Sequence, residues 1–193
     1  MAYKMIVLDL DGTLTNEKKE ITAKTYNSLM QAQQQGVKIV LASGRPTYGI
    51  VPLARQLHLS EYDGYILAYN GGKIVSCGSG ATIFNQELSP ELVPYLHDEA
   101  KRAGLQILTY QGDGIAATRA RDKYVLHEAF INKMPVVEYT DFKTQVEYPI
   151  NKCLIVGTRS PCMPLRCDCR RAFAVALWFI VQPASFWSVC PPA

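Results

Sequence analysis

Three short apolar runs, KMIVLDL at 4–10, VKIVLAS at 37–43 and YILAYN at 65–70, constrain this chain more than any other feature. Each is nearly continuous in apolar residues, as a strand covered on both faces must be, and each ends at polar residues or glycine. Between them, ITAKTYNSLMQAQQQG predicts a helix with Thr22 as N-cap and Gly36 as its stop. RPTYGIVPLARQLHL predicts a weaker helix, because Pro52 falls inside it. Strand, helix, strand, helix, strand at this spacing requires parallel strands with right-handed crossovers, an α/β fold.

Open parallel sheets bind ligands beyond the carboxyl ends of their strands. The first run delivers Asp9 and Asp11 there, the second Ser43-Gly44-Arg45, the third Asn70-Gly71-Gly72. Residues two apart on an extended chain project the same way, so Asp9 and Asp11 can share one phosphate. Gly12 lets the chain turn at once, and Thr13 is placed to hold that turn by a hydrogen bond. This set suits phosphoryl chemistry. A carboxylate can attack phosphorus to form an acyl phosphate, with Mg²⁺ offsetting the repulsion between two anions. A second carboxyl can protonate the leaving alkoxide and later activate water.

VLDLDGTL at 7–14 resembles the first motif of the haloacid dehalogenase superfamily, and LASGR at 41–45 its second. NGGKIV at 70–75 is similar to the Cof-type phosphatases of that superfamily, and the resemblance runs nearly end to end over residues 1–157. It implies a haloacid dehalogenase-like Rossmannoid parallel-sheet core with an inserted α+β cap domain, both incomplete in this chain. The implied activity is Mg²⁺-dependent hydrolysis of phosphomonoesters through an aspartyl-phosphate. Small sugar or nucleotide phosphates are the implied partners, sugar phosphates first, because the cap also resembles those of sucrose-phosphate and trehalose-phosphate phosphatases and phosphomannomutases. A mutase uses the same carboxylate pair. The resemblance makes Asp9 the nucleophile and Asp11 the general acid and base. Ser43 and Gly44 become phosphate ligands, with Arg45, Asn70 and Gly71 at the edge of the site. Mg²⁺ falls to the Asp9 carboxylate and the Asp11 carbonyl. Plain alternatives stand beside these roles: Ser43 as a helix cap and Asn70-Gly71 as ordinary turn chemistry.

After the third strand the pattern changes to short alternating runs and glycine turns. SPELVPYLHDEAKRAG predicts a helix with Ser89 as N-cap, Pro90 first and Gly104 as its stop. A hairpin turning at Gly112-Asp113-Gly114, a helix in RDKYVLHEAFINKM and a strand at 150–157 follow. The expected organisation is a core at 1–81, a partial cap at 82–157 and an aberrant tail at 158–193. Cys77 and Cys153 are expected as buried thiols in strands, and the three histidines as surface or packing residues.

The tail carries the whole net charge of +3, both tryptophans, five of eleven prolines and four of six cysteines, yet no lysine, glutamate or glycine. A change of reading frame near Gly157 accounts for this composition. The chain shows neither the later lysine nor the Gly-Asp-x-x-x-Asp stretch that the family pattern requires. The first strand is interior in that family, so here its outer edge is expected to lie unpaired. A poorly folded and inactive product, or a non-catalytic phosphate-binding remnant, follows unless a partner supplies the missing parts. Residues 1–157 balance in charge, which argues against a nucleic-acid surface. The longest apolar run, AFAVALWFIV at 172–181, is about half a membrane span, and no secretory signal opens the chain. A cytoplasmic location is expected, and the sequence indicates no oligomeric state.

Overall fold

A computed structural model describes residues 3–157 and the backbone of Phe186–Val189. The sequence reading of 158–193 as an aberrant tail lies outside the described residues, apart from that one backbone segment. The chain parts between Asn85 and Gln86 into two compact units.

In the first unit the three apolar runs form β1 (Met5–Asp9), β2 (Lys38–Ala42) and β3 (Tyr65–Ala68), with α1 (Ala23–Gln34) and α2 (Thr47–Gln56) between them. β1 pairs parallel with β2, and β2 parallel with β3. Thr22 caps α1, its hydroxyl accepting from the Thr25 amide, and Gly36 leaves the helix with a φ of 84°. Pro52 does sit inside α2 and forfeits one backbone bond. The helix persists because Ile50 and Ala54 bury its inner face in the core.

β3 ends earlier than the sequence suggests, because Tyr69, Asn70 and Gly71 all take positive φ (54°, 58° and 90°). A hairpin of β4 (Lys73–Ser76) and β5 (Thr82–Asn85) then extends the same sheet antiparallel, giving the order β1-β2-β3-β4-β5. Thr82–Asn85 therefore stays with the first unit, and the division falls at 85/86 where the sequence reading sets 81/82. Cys77 lies just beyond β4, not in a strand, and is only half-buried; that burial pushes its thiol up to about 11.

The second unit contains α3 (Leu92–Arg102), β6 (Gln106–Gln111), β7 (Gly114–Ala117), α4 (Lys123–Asn132), β8 (Val136–Glu138), α5 (Phe142–Gln145), β9 (Cys153–Val156) and β10 (Phe186–Val189). Its sheet has the order β10-β9-β6-β7-β8, antiparallel except for β7 with β8. Val93, Leu96, Ile107, Phe142, Ile150 and Ile155 form its apolar core. Ser89 does not cap α3. The Ser89 and Pro90 carbonyls accept from the Leu92 and Val93 amides, both at 3.0 Å, so two tight turns precede a helix that starts after Glu91. Cys153 is buried in β9 as expected. Among the described residues no helix is long and apolar enough to cross a membrane.

Candidate active site

The period of β1 continues past its end. Asp9 and Asp11 are exposed while Leu10 between them is 0% exposed and anchored in the core with Leu14. Burying that one leucine turns both acids outward to the same side. The chain then reverses at Gly12, whose φ of 84° suits a residue without a Cβ. The Leu14 and Thr15 amides donate back to the Asp9 and Leu10 carbonyls at 3.1 and 2.9 Å. The side-chain bond in this turn comes from Thr15, not Thr13: the Thr15 hydroxyl donates to the Leu10 carbonyl at 2.9 Å, whereas Thr13 is exposed.

Parallel pairing aligns Asp9 with Ala42, so Ser43 follows at the neighbouring strand end. The Ser43 amide donates to the Leu67 carbonyl at 2.9 Å, and the Arg45 amide donates to the Ser43 hydroxyl at 3.2 Å. From the end of β3, the Tyr69 amide donates to the Arg45 carbonyl and the Asn70 amide to the Ser43 carbonyl, both at 3.0 Å. This clasp requires the left-handed backbone at Tyr69 and Asn70, a conformation that costs free energy in residues with a Cβ and that clusters at functional sites. The ends of β2 and β3 are thereby tied together, and Ser43, Gly44, Arg45, Asn70 and Gly71 belong to one loop system.

Arg45 joins that system to β1. Its side chain is 8% exposed and reaches Asp11 with two nitrogens, Nε to Oδ2 at 3.0 Å and a terminal nitrogen to Oδ1 at 2.5 Å. Lys19 closes on the same carboxylate from the polar loop before α1, Nζ to Oδ1 at 2.8 Å. Burial by itself would push the Asp11 carboxyl up, but hydrogen bonds and charge from Arg45, and then from Lys19, outweigh it and hold the group below its ordinary value of 3.8. Asp11 is therefore an anion clamped by two cations, whereas no side-chain bond engages Asp9 among the described residues.

Sequence reasoning did not single out Lys19. It stands in the run Asn16-Glu17-Lys18-Lys19-Glu20, where nothing but the fold distinguishes one charge from its neighbours. Tyr69 was also missed, because αL geometry in a tyrosine leaves no compositional trace. Among the described residues no group of three or more His, Cys, Asp and Glu side chains gathers as a metal cage.

The family model described as haloacid dehalogenase-like hydrolase matches residues 6–189. A candidate phosphatase of Streptococcus pyogenes is 30% identical over 139 residues, which make up 70% of this chain and 51% of that protein. The 5-amino-6-(5-phospho-D-ribitylamino)uracil phosphatase YwtE of Bacillus subtilis is 32% identical over 96 residues, 48% of this chain and 32% of that protein. Among solved structures, a haloacid dehalogenase-like hydrolase from Bacteroides thetaiotaomicron shares the fold at a TM-score of 0.88 and 44% identity, over 98% of this chain and 71% of that one. The chain spans about half the length of the curated relatives it matches.

Proposed function

The chain belongs to the haloacid dehalogenase-like hydrolases, and from that premise we propose that the Asp9 site hydrolyses small phosphomonoesters through an aspartyl-phosphate. The observation that carries the reading is the pair of acids turned outward at the end of β1, beside a Ser43–Arg45 loop fixed by β3. Asp9 is the nucleophile: its carboxylate attacks phosphorus, the ester oxygen leaves, and water later cleaves the acyl phosphate. The Ser43 hydroxyl donates to a phosphoryl oxygen.

Asp11 takes the proton-transfer role, and its clamp decides the order of events. Held as an anion, it is ready as the base that activates water. To protonate the leaving alkoxide first, it has to acquire a proton, which requires Arg45 and Lys19 to loosen their hold. An incoming phosphate dianion offers those cations an alternative partner, so substrate binding and the arming of Asp11 are coupled.

Mg²⁺ fits the donor set, since it favours hard oxygens and completes its shell with water and substrate phosphate. The Asp9 carboxylate and Asp11 carbonyl would hold it, and when bound it would neutralise charge between the two anions. The ribitylaminouracil phosphatase among the relatives supports a phosphate on a sugar-derived chain as the substrate class.

A second reading has its own support: these 193 residues contain no Gly-Asp-x-x-x-Asp stretch, and the described ones hold no three-residue metal cage. On that reading the site binds phosphate with little or no turnover. Phosphate release from a panel of sugar phosphates, with and without Mg²⁺, decides between them. Turnover that falls about a thousandfold or more in Asp9→Asn supports the hydrolase. Saturable phosphate binding without release supports the binding site alone, and neither result discards the Asp9 site.

A further inference from the structure

The second unit contains a cleft of about 250 Å³ that none of the chemistry above uses. It lies between α3, the start of β6 and the segment after β7, and His97, Lys101, Gln106, Thr118 and Arg119 line it over an apolar base that includes Ile107. We propose that this cleft binds a small metabolite through its oxyanion group, a phosphate or a carboxylate.

The argument rests on which hydrogen-bonding capacity is already spent. The Thr118 hydroxyl accepts from the Ile107 amide at 3.2 Å and shares its one hydrogen between Gln106 Oε1 at 3.0 Å and the Ile107 carbonyl at 3.3 Å, while no bond engages the Gln106 amide nitrogen among the described residues. His97 Nδ1 lies 3.4 Å from Asp98 Oδ1, and the imidazole is stacked on Phe142 with centroids 6.2 Å apart and planes 17° apart. The ring is thus fixed, with Nε2 as its uncommitted edge. Lys101 follows His97 by one helical turn, and Arg119 arrives from the other wall. Neither cation has an acidic partner among the described residues.

The acids that could neutralise them are engaged elsewhere. Asp98 is held by Lys143 at 2.5 Å, Glu99 by Arg102 at 2.6 Å, and Glu138 accepts from the Ala120 amide at 2.8 Å. No acid lines the cleft. What remains unspent on the donor side is therefore an ammonium, a guanidinium and an amide, lining a partly apolar recess. Only an acceptor-rich anion matches that set, and the Arg119 fork suits the paired oxygens of phosphate or carboxylate. The volume falls below the range of drug-sized sites, which favours a small metabolite over a nucleotide.

The test is an NMR titration of the full chain with inorganic phosphate, and separately with malonate, at constant ionic strength. The expected result is a saturable shift of the His97 ring protons and of the Gln106, Thr118 and Arg119 amides. The oxyanion that saturates at lower concentration identifies the ligand's anionic group. Lys101→Gln with Arg119→Gln should weaken that response at least tenfold while leaving any response of the Ser43 and Gly44 amides unchanged. Asp9→Asn should leave the His97 response intact, which separates this site from the first. Both cations are exposed, so the double variant should fold, and matching circular dichroism checks that it has. Absence of a saturable response to either anion, or an equal response in the double variant, overturns the proposal.

Discussion

β1 and β2 are two apolar strands of equal length in one sheet, paired in register from Met5 with Lys38 to Asp9 with Ala42. Their fates differ. In β2, Ile39 and Leu41 are 0% exposed, whereas in β1 Met5 is 50% and Val7 58% exposed. β2 has a strand on either side; β1 has one among the described residues and stands at the sheet edge. Strand-forming sequence therefore does not determine burial, which follows from what the rest of the fold packs against each face. Yet the exposed strand carries Asp9 and Asp11, and the buried one carries the Ser43 loop. The candidate site sits where a well-supported strand meets a poorly supported one.

The largest effect that would break this contrast is in β2. Ile39→Ala should cost about 2–5 kcal/mol, the range for deleting a fully buried aliphatic side chain. A urea midpoint close to wild type would show that the strand is not the anchor its burial indicates. Arg45→Gln acts on the link between the two strand ends. Because Asp11 is held below 3.8, its contribution to stability is complete above that pH and is lost as pH falls through the lowered folded value. The variant should lose the Arg45 share of that acid-side dependence and keep the share that Lys19 supplies. The change should be modest, since Asp11 is 35% exposed and solvent screens the pair. Thermal melts from pH 2 to 6 would show it, and curves of identical shape would remove Arg45 from the account. The smallest effect belongs to β1 itself. Val7→Lys should shift stability by less than about 0.5 kcal/mol, as an exposed position does. In sedimentation velocity it should lower any self-association through this edge, because a charged edge strand resists pairing with another chain. A large destabilisation would mean that Val7 is covered after all.

Much of the candidate site's layout was legible because its signal is local. Three apolar runs fix three strand ends, and the acids, the Ser43-Gly44-Arg45 loop and Asn70-Gly71 sit directly at those ends. What stayed hidden depends on contacts distant in sequence. Lys19 becomes special only when its loop folds back on Asp11, and the pairing of Arg45 with Asp11 forms only when two parallel strands bring the residues together. Tyr69 reads as one more strand residue until the clasp onto Arg45 demands a left-handed backbone. β8 and α5, of three and four residues, are too short to display a period. Ser89 and Pro90 misled because they satisfy every local rule for a helix start, while tight turns that place Leu92 and Val93 in the core delay it.

The central claim is that Asp9 receives a phosphoryl group. It is tested most directly by incubating the chain with acetyl phosphate and Mg²⁺, quenching in acid, reducing with borohydride and locating the modified residue by mass spectrometry. An aspartyl-phosphate is reduced to homoserine, so the account predicts homoserine at position 9 and its absence in Asp9→Asn. No modification, or modification at Asp11 or another carboxylate with Asp9 untouched, would contradict it.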